Sequence, residues 1–286
     1  MLMRLIHSCA SLLLASVAGL HAADKSIVLI AGEVKPVDKT GHHDYTGGVT
    51  LLREVLQQTP GVITTVVTEG WPTDATILST ADSVVFYTDG GGKQAYLTTP
   101  ERIAVMDALA ARGAGIVQIH QAVDYTAEHV ERAKAWIGGV YAPKVSGRGH
   151  WDSQHNEFPT HAITQGVTPW MINDGWLTAI VFVPDKKGIT PLVWSSKEHS
   201  GKSTGGDAAI VAWTYDRPQG GRSFSFTGLD AHSAWKLTGM RQLVVNGILW
   251  TAGCSIPNTG APCTMDDATI DKHLTPRVDS RKMFGK

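Results

Sequence analysis

The chain has 286 residues, 43% of them hydrophobic, enough to bury a large core and normal for one α/β domain with insertions. Its 25 Lys and Arg against 26 Asp and Glu leave a formal charge of -1, and no basic run stands out. That balance excludes nucleic acid as a partner.

Residues 1–23 read as a secretory leader. Arg4 supplies the positive start, Leu12 to Val17 lie in an apolar run, and small residues follow at Ala18, Gly19, Ala22 and Ala23. Asp24 and Lys25 come too soon for a spanning helix, and Cys9 precedes the apolar run, which argues against a lipid anchor. The mature chain is therefore expected to be periplasmic or secreted, with no stable membrane anchor. Only Cys254 and Cys263 then remain. An oxidising compartment favours a bridge between them. The stretch from Asp24 to Gly253 holds no cysteine, which removes cysteine-nucleophile chemistry.

Ser26-Ile-Val-Leu-Ile-Ala-Gly32 reads as a first buried strand. A loop with Gly41-His-His-Asp-Tyr45 follows, then helical spacing at Leu52, Val55, Leu56 and Thr59. Val62 to Val67 and Ser83 to Tyr87 are the next strands. Asp89-Gly-Gly-Gly92 lacks the Lys-Ser/Thr pair of a P-loop and reads as a mobile rim loop, so no nucleotide cofactor is expected. Thr99-Pro-Glu101 opens a helix whose apolar face is Ile103, Met106, Leu109 and Ala110. Ala114–Ile119 is a fourth strand, and Ala127–Trp136 the helix after it.

His120, Gln121 and Asp124 fall where that strand ends, the edge at which open α/β sheets bind ligands. After Gly138-Gly139, residues 140–175 read as irregular, polar and, by their length, functional. Trp176–Val183, Pro191–Ser196, Ala208–Tyr215 and Arg222–Thr227 read as strands, and Met240 to Trp250 as a final amphipathic helix. Residues 257–286 carry few apolar groups and read as a surface-wrapping or partly disordered tail. Alternating strands and helices imply a mostly parallel sheet covered on both faces.

Several segments together resemble the ThuA-like family, named for trehalose utilisation and related to class I glutamine amidotransferases. They include Gly41-His-His-Asp-Tyr45, Val84-Val-Phe-Tyr-Thr-Asp-Gly-Gly91, Gly115-Ile-Val-Gln-Ile-His-Gln-Ala-Val123, Gly149-His-Trp151, Ile172-Asn-Asp-Gly-Trp176, Gly221-Arg-Ser-Phe-Ser-Phe-Thr-Gly228 and Asn246-Gly-Ile-Leu-Trp-Thr-Ala-Gly253. The resemblance runs from about Ile27 to Ile256 and implies a flavodoxin-like, doubly wound α/β domain over residues 24–256. It also implies carbohydrate catabolism, with oxidised sugars and glycosides as substrates. Ile119-His120-Gln121 stands where the amidotransferases carry their nucleophilic cysteine, so amidotransfer is not implied. Two departures stand out: Gly175 and Leu177 replace an acidic residue and an aromatic, and Asp230 replaces the first histidine of Gly-Gly-His-x-His.

His43, His120, His150 and His232 come from four separate segments, with Asp174 and Asp230 in the same motifs. Imidazoles with a carboxylate suit zinc or manganese, and His43, His120 and His232 are the expected ligands. The reading this favours is an enzyme that acts on a small sugar or glycoside oxidised to a ketone at ring carbon three. Asp174 or Asp124 would take the C2 proton, His150 would act as acid, and the C1 substituent would leave by elimination or net hydrolysis. Gln121, Trp151, Trp176 and Asp230 are the expected substrate contacts. A non-catalytic sugar-binding protein is the alternative, and the departures at Gly175 and Asp230 favour it over full activity. His155 and His161 fit turn or capping roles; His129, His199 and His273 fit the surface or tail.

Overall fold

Along the early strands, apolar side chains alternate between two faces, as a sheet buried on both sides requires. The computed structural model describes residues 24–33, 40–196 and 206–275; the leader-like residues 1–23 and His199 lie outside them. β1 (Lys25–Ala31), β2 (Val62–Val67), β3 (Ser83–Tyr87) and β4 (Gly115–Ile119) run parallel. Leu29, Val85 and Val117 face the layer of α1 (Tyr45–Leu56) and α5 (Thr238–Thr251). Val28, Val84 and Ile116 face α2 (Thr76–Thr80), α3 (Pro100–Ala111) and α4 (Val130–Ile137). α3 begins as its sequence dictates: Pro100 sits in the first turn and the Thr99 side chain accepts the Arg102 backbone N–H at 3.3 Å.

Two small ribbons stand beside this sheet. β5 (Gly139–Val140) pairs with β8 (Val181–Phe182), and β6 (Gly147–His155) pairs antiparallel with β7 (Trp170–Thr178). Residues 140–175 are thus less irregular than their composition implies. β6 places Arg148, His150, Asp152 and Gln154 at its alternate exposed positions. Without an apolar alternation, the strand carries no periodic signal.

β9 (Ile189–Trp194), β10 (Ile210–Asp216) and β11 (Arg222–Phe226) complete the main sheet in the order β2-β1-β3-β4-β11-β10-β9. β11 is parallel to β4, whereas β10 runs antiparallel to both its neighbours. This is a flavodoxin-like, mostly parallel sheet. The carboxyl ends of β1, β3, β4 and β11 meet at one edge, where the candidate site lies.

The segment after residue 256 packs firmly as far as residue 275. α6 (Asp267–Lys272) buries Ile270 completely, the Arg241 Nε donates to the Cys263 carbonyl at 2.8 Å, and the Gln58 amide donates to the Thr264 carbonyl. Cys254 and Cys263 are free thiols, which corrects the expected bridge. The Cys263 thiol donates to Gln242 Oε1 early in α5, while Cys254 lies beyond that helix's C-terminus. From Gln242 to Thr251 the helix rises by about 14 Å, too far for a disulfide. Burial raises both thiols above their ordinary pKa, against the pull of Lys25 on Cys254 and of Arg241 on Cys263.

The triple-glycine loop is also tighter than expected. A Cβ at Gly90 would lie 2.3 Å from the Gln121 carbonyl oxygen, and Gly91 N–H donates to the Asp124 carbonyl at 2.8 Å. These glycines let two loops at the sheet edge touch backbone to backbone.

Candidate active site

Two loops zip together above the sheet edge. His42 and Ala231 form an isolated antiparallel bridge, with His43 N–H donating to the Asp230 carbonyl at 3.0 Å. This pairing brings the Asp230 carboxylate, only 2% exposed, up to three imidazoles at once. His42 Nδ1 lies 3.0 Å from Oδ2, and His43 Nε2 and His120 Nε2 lie 2.9 and 3.4 Å from Oδ1. A fourth imidazole arrives from β6, where His150 Nε2 is 2.6 Å from Oδ2.

The backbone holds these groups at a cost. His43, His120 and Leu229 adopt φ values of 49°, 56° and 70°, the left-handed region that residues with a Cβ avoid. Three such residues at one sheet edge mark a site whose geometry the surrounding structure enforces. Leu229 is pinned from below, because its carbonyl accepts the buried Tyr87 hydroxyl and its N–H donates to Asp174 Oδ2 at 2.7 Å.

Asp174 therefore has a different task from the one expected. It is 1% exposed, and its carboxylate accepts N–H bonds from Gly175, Leu229, Asp230 and Ala231 at 2.7 to 3.1 Å. Burial raises its pKa, while the neighbouring His120 and these N–H groups pull it down. A carboxylate so occupied orders the 229–231 turn and does not reach substrate as a base. His232, the expected third ligand, is likewise turned away. Its Nε2 donates to the Ile270 carbonyl at 2.8 Å, and its Nδ1 faces Asp44 Oδ2 at 3.6 Å. It ties α6 to the loop that carries His42 and His43.

Asp124 sits behind Arg148, whose Nη1 donates to its Oδ2 at 3.0 Å. Burial raises the Asp124 carboxyl to about 6, even with Arg148 and Lys93 pulling it down. Arg148 also lies over the Tyr141 ring at 5.5 Å and remains half exposed, so its charge is presented to the cavity. Trp151 turns its indole N–H to Ser195 Oγ at 2.8 Å and is not part of the cavity wall. Trp176, Gln121 and Asp230 do line the cavity, and Gln121 Nε2 lies 3.2 Å from His43 Nε2.

The cluster lies between two openings. An inner cavity of 140 Å³ is walled by Gln121, Arg148, Trp176 and Leu177, and an outer cleft of 670 Å³ by His42, Asn173 and Ser233. His43, His150 and Asp230 belong to both. The outer cleft is large enough for a small organic ligand.

Burial alone would raise the Asp230 carboxyl. The imidazoles of His120, His43 and His42 outweigh burial and hold it well below the usual carboxylate range. Asp230 is thus an anion at neutral pH. The departures at residues 175 and 230 also explain each other: a Cβ on Gly175 would lie 2.8 Å from Asp230 Cβ and 2.9 Å from its Oδ2. Any side chain at 175 would press on the space Asp230 fills.

Residues missed from the sequence were His42, Arg148, Tyr45 and Asp89. Tyr45 donates to Asp89 Oδ1 at 2.7 Å, and that oxygen lies 3.5 Å from His43 Nδ1. Arg148 could have been found, since a cation two residues before His150 on a strand shares its face.

The family model described as ThuA, trehalose utilisation, matches residues 29–251. Among solved structures, a ThuA-like protein from Parabacteroides merdae is 17% identical, with 84% of this chain and 97% of that chain covered and a TM-score of 0.58. A ThuA-like protein from Bacteroides uniformis is 13% identical, with 86% and 98% covered and a TM-score of 0.59. A cytoplasmic protein from Salmonella typhimurium is 14% identical, with 79% and 98% covered and a TM-score of 0.53. At these identities the likeness is one of fold. No curated protein matches the chain.

Proposed function

Because this chain belongs to the ThuA, or trehalose utilisation, family, we propose that it is a carbohydrate-catabolic enzyme that eliminates the C1 substituent of 3-keto-glycosides. The leader-like residues 1–23 would direct it to the periplasm or outside the cell. The observation that carries the reading is the pairing of His150 with Asp230 at the mouth of the cleft. His150 Nε2 lies 2.6 Å from Asp230 Oδ2, while more than half of the His150 side chain stays exposed. An anionic carboxylate at that distance fixes the tautomer with the proton on Nε2 and leaves the Nδ1 lone pair to act as a base.

This revises the roles set out from the sequence, since Asp174 is sealed and Asp124 is paired to Arg148. A ketone at C3 makes the C2 proton acidic. His150 Nδ1 takes that proton, and the C2–H electrons move into the carbonyl to form an enolate. The enolate electrons then form the C1–C2 double bond as the C1–O bond breaks, and the proton held by His150 passes to the departing oxygen. Water adding back across the double bond makes the net result hydrolysis. Arg148 faces the same cavity and supplies positive charge for the oxyanion. Trp176 spends its indole N–H on the Trp151 carbonyl and, fully buried, forms an apolar wall of the inner cavity. A divalent ion bound at His43, His120 and Asp230 would supply a Lewis acid for the developing enolate.

The test is incubation of the purified protein with a 3-keto-glycoside carrying a chromogenic aglycone, with and without added zinc or manganese. Release is expected, and His150→Ala should lower it by about 10²-fold or more. Binding without release in every metal condition would instead assign the cleft to a sugar-binding protein.

A further inference from the structure

Within the four-imidazole cluster, the two oxygens of Asp230 are served differently. Oδ2 is engaged by His42 at 3.0 Å and His150 at 2.6 Å, both in hydrogen-bond geometry. Oδ1 is the contrary case. His43 Nε2 lies 2.9 Å away and His120 Nε2 3.4 Å away, yet Oδ1 is buried with no hydrogen bond among the described residues. His120 Nε2 is buried and without a hydrogen bond as well.

The tautomer of His120 explains why proximity does not become bonding. Its Nδ1 lies 3.0 Å from the Thr227 carbonyl, which only accepts, so the ring proton resides on Nδ1. In the neutral ring Nε2 then carries a lone pair and points it at a carboxylate oxygen, in a place where both residues are 2% exposed. His43 differs in having a partner. Its Nδ1 lies 3.5 Å from Asp89 Oδ1, and its Nε2, 2.9 Å from Asp230 Oδ1, faces the Gln121 amide nitrogen at 3.2 Å. That amide group only donates, so Nε2 carries a lone pair here too and Gln121 would yield to an ion. Two imidazole nitrogens and one carboxylate oxygen thus converge in a buried place that needs positive charge between them.

We propose that His43 Nε2, His120 Nε2 and Asp230 Oδ1 form a binding site for a single first-row divalent cation, and that His42, His150 and His232 are not its ligands. All three donor atoms lie within 4.8 Å of one another. With metal–ligand bonds of about 2.0–2.2 Å, adjacent donors of a tetrahedral site stand about 3.3–3.6 Å apart. The observed 2.9 and 3.4 Å separations need only small adjustment to fit. The Thr227 carbonyl holds the outer nitrogen of His120 at 3.0 Å, and the Asp89 carboxylate stands 3.5 Å from that of His43, where partners of metal-bound histidines commonly sit. Three protein donors of this N₂O type leave positions open toward the cavity, the pattern of a site that accepts an outside ligand. His232 fails as a ligand because its Nε2 is committed to Ile270, and His42 and His150 because they already satisfy Oδ2.

The test reads metal directly and involves no sugar, so it stands apart from the assay of glycoside release. Full-length protein is stripped with chelator, and zinc is titrated by calorimetry, with elemental analysis after gel filtration. One equivalent per chain is expected. His43→Ala should weaken binding by 10-fold or more, as should His120→Asn if circular dichroism shows it folded; His43→Ala replaces the less buried of the two rings. His42→Ala and His150→Ala should each retain one equivalent within about threefold. Manganese added to the stripped protein should give the electron paramagnetic resonance spectrum of an isolated ion. Absence of tight zinc binding by folded wild type would overturn the assignment. So would loss of the ion in His150→Ala with retention in His43→Ala, or a second equivalent that His42→Ala removes. One equivalent of zinc with no glycoside release would leave this site standing and discard the reaction.

Discussion

His155 should make the protein acid-labile in a way that one substitution can remove. Its ring packs against Trp170 and Trp176, with centroids 5.0 and 5.3 Å away, and its two ring nitrogens are buried, with the Trp194 backbone within their reach. Burial lowers its pKa from 6.5 to about 4, and the Trp194 backbone, which favours the cation, does not offset it. The unfolded chain protonates this histidine near 6.5, so between about pH 6.5 and 4 the unfolded state binds the extra proton. Stability therefore falls as pH drops through that window, by about 3 kcal/mol for a shift of this size. That is a large share of the ordinary stability of a domain. Because His155 closes the strand that presents His150, and packs on the Trp176 that lines the cavity, the loss would reach the site. His155→Phe keeps a flat ring and discards the titration. Urea denaturation followed by tryptophan fluorescence at pH 7.0, 5.5 and 4.0 should show the variant gaining on wild type by about 3 kcal/mol from the highest pH to the lowest. Parallel stability curves for the two proteins would refute a buried neutral His155.

Asp174→Ala removes the acceptor of four N–H groups, three of them buried, and should cost about 3 kcal/mol or more in chemical denaturation; a loss confined to activity would return Asp174 to the chemistry. Arg148→Ala should move the Asp124 carboxyl above its present value of about 6, read by carbon NMR of the carboxyl group. An unmoved value would mean that the pair is not formed in solution. Thiol titration of the unreduced, denatured protein lacking residues 1–23 should count two free thiols, and none would restore the Cys254–Cys263 bridge.

The main sheet was legible because β1, β3 and β4 are short β-branched runs bounded by turn residues, and burial on both faces leaves such runs almost wholly apolar. β6 escaped because a two-stranded polar ribbon writes no such pattern. The cluster was legible in part. His43, His120, His150 and Asp230 were visible as histidines and a carboxylate at loop positions, but which of them converge depends on the pairing of residues 41–43 with 229–232. His232 shows the limit. It lies two residues from Asp230, yet the chain turns there into a short 3₁₀ helix, and its ring points to α6. Asp174 erred in the other direction, since a carboxylate that holds a turn and one that takes a proton read alike until their hydrogen bonds are known.

The central claim is removal of the C2 proton before the C1 bond breaks, and a labelled substrate tests it most directly. A 3-keto-glycoside deuterated at C2 is incubated with wild type and with His150→Ala, and the release of aglycone and of deuterium into water is followed by NMR. Deuterium is expected to leave C2 in step with aglycone release, and His150→Ala to slow both together. Aglycone released with deuterium retained at C2 would contradict the claim, because the bond at C1 would then break without the enolate.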